Sequence, residues 1–126
     1  MGNTQSKNIG FEAVQGAMQS HKNIIHVMDD TEPVLIVGTV PAAEEVAVVE
    51  LAIKQKELII VYGKNCCDER VDQKCAQLLK LGANVSVYRG GLFEWLLLQD
   101  YYGAEFFPTT APHGDLLKYS LKTPLL

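Results

Sequence analysis

The stretch Leu58-Ile59-Ile60-Val61-Tyr62-Gly63-Lys64-Asn65-Cys66-Cys67-Asp68-Glu69-Arg70 decides the reading of this chain. Its first five residues form a continuous apolar, β-branched run, the pattern of a central strand covered on both faces. A polar loop follows. From Arg70 to Leu81 the period becomes helical, with Val71, Cys75, Leu78 and Leu79 on one face, and Gly82 stands where a left-handed helix cap is commonly needed. Strand, loop and helix in this order make one unit of an α/β sheet.

The alternation continues toward both ends. Upstream, Phe11 to Ser20 spaces Phe11, Val14 and Met18 as an amphipathic helix, and Asn23 to Met28 reads as a short buried strand. A turn-rich loop, Asp29 to Pro33, leads to Val34 to Val37, which is either a short strand or an extended connection. Ala42 to Gln55 is a second helix, and its Glu44-Glu45 pair is most simply a solvated first turn. Downstream, Asn84 to Tyr88 is a strand, Gly90-Gly91 a tight turn, and Leu92 to Gln99 a strongly apolar helix. From Asp100 the chain reads as irregular, with one helical turn near Leu116 to Tyr119. Strands alternating with helices imply an α/β fold in three layers, a central parallel sheet with helices on both faces.

The composition sets the classes of function. At 126 residues the chain fits one domain able to bury its own core, and 48% apolar with 21% charged residues is ordinary for a soluble globular protein. A net charge of -4 gives no surface for neutralising nucleic-acid phosphates, so no nucleic-acid partner is expected. Three cysteines, two of them adjacent, form neither a disulfide framework nor a paired metal-ligand spacing, which fits a reducing, cytoplasmic setting. His21, His26 and His113 are scattered, so no metal site is expected, and nothing in the chain asks for a cofactor or an obligate oligomer. No apolar run approaches the length of a membrane span.

The first residues, Met1-Gly2-Asn3-Thr4-Gln5-Ser6, match the pattern for myristoylation of Gly2, within a segment 1–10 expected to be flexible. A single acyl chain without a basic cluster gives only weak, reversible membrane association.

The chemistry is expected in the loop Gly63 to Arg70, because ligands of such sheets bind beyond the carboxyl ends of the strands. A loop that curls into a helix N-terminus turns backbone N–H groups inward, and with the helix dipole they hold an anion. Gly63, Lys64, Asn65, Asp68, Glu69 and Arg70 would frame that anion site. Cys66 or Cys67 within it is a candidate nucleophile, with Lys64 and Arg70 as cations that favour the thiolate, while Asp68 and Glu69 oppose it. Cys75 lies on the buried helical face and reads as core. Trp95 and Phe93 read as helix-to-sheet packing, and Arg89 as either an anion contact or a solvated charge.

Over roughly residues 11 to 113, leaving 114–126 as a tail, the chain resembles the rhodanese-like domain. Gly38-Thr39-Val40-Pro41-Ala42-Ala43 is similar to that family's Gly-His-Ile-Pro-Gly-Ala segment, and Gly90, Gly91 and Trp95 reproduce its Gly-Gly pair ahead of a tryptophan. The resemblance implies a five-stranded parallel sheet and a loop cysteine that carries sulfur as a persulfide, taken from a thiosulfate-type anion and passed to cyanide or another thiol. The chain departs from the family at three places. Gly63 directly follows the strand where the family has its cysteine, His26 and Met28 replace an Asp-x-Arg, and Thr39 replaces the histidine. The expectations are therefore a sulfurtransferase working through Cys66 or Cys67, or a catalytically silent relative that binds a protein or an anion through the loop or the segment from Leu92 onward. A more distant alternative is a rhodanese-fold phosphatase; aligning on Arg70 puts Lys64 at its nucleophile position.

Overall fold

The computed structural model describes residues 6–120. The elements in chain order are β1 (Lys7–Ile9), α1 (Phe11–Gln19), β2 (Asn23–His26), a 3-10 turn (Ala42–Glu44), α2 (Glu45–Gln55), β3 (Leu58–Tyr62), α3 (Glu69–Lys80), β4 (Asn84–Tyr88), α4 (Gly91–Tyr102) and a second 3-10 turn (Leu116–Tyr119). The four strands form one sheet in the order β1-β4-β3-β2, and every neighbouring pair is parallel.

The apolar run of β3 explains the layers. Side chains alternate across a strand. Accordingly Ile60 and Tyr62 join a core with Val14 and Ala17 of α1 and Leu92, Trp95 and Leu96 of α4. Ile59 and Val61 join a second core with Val49 and Ala52 of α2 and Val71, Cys75 and Leu78 of α3. Cys75 is buried there, and burial pushes its thiol pKa up. Trp95 is fully buried, packs edge-on against Tyr88 and Phe107, and donates from Nε1 to the Pro108 carbonyl at 3.1 Å. It is a packing residue.

Three helices end in the same hydrogen-bond pattern, in which two backbone N–H groups beyond the helix reach back to its last carbonyls. After α3, Gly82 at φ 88° donates to Leu79 and Ala83 to Leu78. After α1 and α2 the left-handed position is held by His21 (φ 55°) and Lys56 (φ 59°), where a side chain is strained.

The sheet has four strands, one fewer than expected. Pro33, Gly38 at φ 94° and Pro41 bound the extended stretch 34–37, which makes no ladder with the sheet. It is an extended connection tied by single contacts: Ile36 bridges Thr109, Ile36 N–H donates to the Tyr62 hydroxyl, and Val40 N–H donates to the Ile24 carbonyl. Two boundaries also move. Lys7–Ile9, placed in the flexible segment by sequence, is an edge strand on β4, and the tail expected from 114 carries Tyr119, which is buried. Gly2 lies outside the described residues. Among the described residues no helix is long and apolar enough to cross a membrane.

Candidate functional site

His26, Tyr62 and Tyr88 end three adjacent strands side by side at the carboxyl edge of the sheet. The loop from Gly63 rises above them. Its floor is the N-terminus of α4, whose Leu92 N–H donates to the Gly63 carbonyl and whose Phe93 N–H donates to that of Lys64, both at 2.9 Å. Helix N–H groups that have no partner of their own are thus satisfied by the loop. This close approach explains the glycine at 91. Its φ is 69°, and a Cβ there would lie 2.7 Å from the Gly63 carbonyl oxygen.

The loop is braced at its centre by Asn65. The side-chain NH2 donates to the carbonyls of Tyr119 (3.1 Å) and Ser120 (3.3 Å), while Oδ1 accepts from Cys67 N–H at 2.9 Å. Two backbone N–H groups of the loop, those of Lys64 and Arg70, converge as a small cradle, while Cys67 N–H turns to Asn65. What fills it is the chain's own carboxylate: Asp68 accepts from Lys64 N–H (2.9 Å), from Arg70 N–H (3.1 Å), and from the Arg70 guanidinium through two bonds of 2.8 and 2.7 Å. Asp68 is also the N-cap of α3. Its side chain is 6% exposed. Burial opposes its ionisation, but the bonds from Arg70 and Lys64 outweigh burial and hold the carboxyl below its ordinary value. Arg70 is pushed correspondingly up by the Asp68 carboxylate.

Sequence reasoning placed Asp68 as a charge opposing a thiolate in the cradle; the structure makes it the occupant. A Cβ built on Gly63, the position following the strand, would lie 2.7 Å from Asp68 Oδ2 and 2.7 Å from a Val71 methyl. The space a side chain at 63 would enter is therefore already taken. Cys66 and Cys67 are both exposed at the loop tip, with their sulfurs 3.9 Å apart. The Cys67 thiol is pushed up, first by its hydrogen bond with Cys66, and nothing beside it favours the thiolate. Lys64 contributes its backbone to the cradle, and Glu69 is exposed in the first turn of α3.

The other residues singled out by sequence serve elsewhere. Arg89 pairs with Asp72 at 3.0 Å on the surface. Thr39 Oγ1 donates to the Ile36 carbonyl at 2.6 Å and lies 2.7 Å from the Tyr62 hydroxyl, so it locks the extended connection. His113 pairs with Asp100 at 3.0 Å. Glu45, read as solvated, is partly buried in an ion pair with Lys74. Unforeseen was the bond from the Tyr88 hydroxyl to Glu94 at 2.6 Å, which spans β4 and α4.

Beside the loop, a groove of about 370 Å³ is lined by His26, Asp30, Glu45, Arg70 and Lys74 among others. His26 Nδ1 accepts from Met28 N–H at 3.1 Å, so the neutral ring carries its proton on Nε2. Burial holds the ring below its ordinary pKa despite Glu45, Asp30 and Glu32. Among the described residues no group of three or more His, Cys, Asp or Glu side chains is placed to hold a metal ion.

No family model and no curated protein matches the chain. Solved structures do. A thiosulfate sulfurtransferase from Pseudomonas aeruginosa superposes with a TM-score of 0.57 at 24% identity, over 90% of this chain and 23% of that one. The Alr3790 protein from Anabaena sp. gives 0.55 at 18% identity, over 88% and 98%. A full-length protein from Lactobacillus plantarum gives 0.54 at 20%, over 73% and 82%. This chain thus spans about a quarter of the sulfurtransferase and nearly all of the Anabaena protein. At these identities the likeness concerns the fold, and the chain has the rhodanese-like α/β fold, a parallel sheet between two helical layers.

Proposed function

We propose that this chain is a rhodanese-fold binding module that does not transfer sulfur. One observation carries the reading: the donors that would hold a persulfide or thiosulfate anion are already bound to Asp68. A charged sulfur on Cys66 or Cys67 would sit in solvent at the loop tip, without the preorganised donors that sulfur transfer needs. The same occupancy argues against phosphatase chemistry, since neither Gly63 nor Lys64 supplies a nucleophile and a phosphate would meet a carboxylate.

The surface supports binding of a protein. Leu97, Tyr101, Tyr102 and Phe106 are exposed around the C-terminal half of α4, Tyr101 at 81%. The Tyr101 and Tyr102 rings stack edge-to-face at 4.7 Å, so the patch is preformed. Clustered exposed aromatic residues are the usual anchors of protein interfaces.

The test is intact-mass spectrometry after incubation with thiosulfate, followed by cyanide. The wild-type chain is expected to carry no cyanide-labile sulfur. A sulfur adduct that disappears with cyanide and is missing from a Cys66→Ser, Cys67→Ser double variant would overturn the proposal in favour of a sulfurtransferase.

A further inference from the structure

Cys66 and Cys67 remain without a role, although they are the most accessible nucleophiles of the loop. We infer that the two thiols form a dithiol chelation site for a thiophilic trivalent centre that brings one ligand of its own, such as a mono-organoarsenical.

The geometry decides between a bridge and a direct bond. Adjacent Cα atoms lie about 3.8 Å apart across a trans peptide, inside the roughly 4.4 Å lower bound of ordinary disulfides, so direct closure is strained. A one-atom bridge is not. With sulfur-to-centre bonds of about 2.3 Å and the angle of about 100° of a pyramidal trivalent centre, the bridged sulfurs lie about 3.5 Å apart, only about 0.4 Å closer than the 3.9 Å at which the two exposed sulfurs already stand. A small rotation of the exposed side chains therefore brings both thiols onto such an atom.

The site is also preorganised. Asn65 fixes Cys67 N–H and is itself anchored to Tyr119 and Ser120, Asp68 N–H donates to the Asn65 carbonyl at 3.3 Å, and Asp68 caps the helix that follows. Binding therefore costs little ordering of the loop. Ligand number sets the class of centre. Structural zinc takes four protein ligands, whereas this loop tip offers two thiols and no cluster of three or more ligating groups occurs among the described residues. A centre with two exchangeable positions fits.

With phenylarsine oxide the balance is simple. Each thiol gives up its proton, the arsenic-bound oxygen leaves as water, two As–S bonds form, and arsenic remains trivalent. No oxidant or reductant is required.

The experiment treats the full chain with stoichiometric phenylarsine oxide and reads intact mass during challenge with a monothiol and then a dithiol. Wild type should carry one phenylarsenic unit, resist excess 2-mercaptoethanol, and release it to 2,3-dimercaptopropanol. Cys66→Ser and Cys67→Ser should each weaken retention at least about a hundredfold, the loss expected when a chelate becomes a single bond. Cys75→Ala should retain the unit as wild type does. Both loop cysteines are exposed, so circular dichroism of the serine variants should match wild type. Stripping of the wild-type adduct by monothiol, or its retention in Cys66→Ser or Cys67→Ser, would overturn the inference.

Discussion

Asp68 joins the stability of the loop to its chemical silence. It accepts from two backbone N–H groups and from the Arg70 guanidinium, so its removal leaves a helix uncapped and the partly buried Lys64 N–H unpartnered. Asp68→Ala should lower stability by about 2 kcal/mol, read as a reduced urea midpoint at pH 7. The pH dependence has a definite sign. Because the folded carboxyl titrates below its unfolded value of about 3.9, its contribution is fully present above that value and disappears as pH falls through the lower folded value. The gap between wild type and Asp68→Ala should therefore close in strongly acidic urea titrations. In the sequence Asp68 stands just ahead of the helical period and reads as a charge opposing the thiolate; its role as the cap of α3 came from the structure. That its second oxygen and Arg70 would fold back over the loop was not readable, because this depends on the curl of the backbone between Gly63 and Asp68.

Among the elements, β3 and β4 were legible to their last residue, β3 as a short β-branched apolar run ended by Gly63 and β4 as Val85, Val87 and Tyr88 between the turn signals Gly82 and Gly90. The end of α3 was legible too, through Gly82. The ends of α1 and α2 were placed to within one residue as well, although the left-handed positions beyond them are held by His21 and Lys56 rather than glycine. That strain makes a prediction. Lys56→Gly should raise stability by about 1 kcal/mol, seen as a higher thermal midpoint, because Lys56 is exposed and sits at φ 59°. Gly91 is the opposite case. Gly91→Ala should cost about 3 kcal/mol, since it adds a left-handed penalty to a contact with the Gly63 carbonyl, and a calorimetric scan should show it.

For the whole molecule, alternation of strands and helices was enough to read three layers and a parallel sheet. The strand count was not, because whether 34–37 joins the ladder depends on where Thr109 and Tyr62 lie in space, far along the chain. The packing of the C-terminal segment escaped for the same reason: its anchors are Trp95 to Pro108, Gln99 to Phe107 and Tyr119 to Glu32. Trp95→Ala should cost about 4 kcal/mol and loosen the segment after α4 to limited proteolysis, because the lost ring both packs on Phe107 and binds the Pro108 carbonyl.

The most direct measurement of the central claim follows the amide resonances of Lys64 and Arg70 while thiosulfate is added. With the carboxylate of Asp68 in place, the wild-type resonances should stay where they are, and only in Asp68→Ala should they move. A saturable shift of both amides in the wild-type protein would show an open anion site and contradict the account.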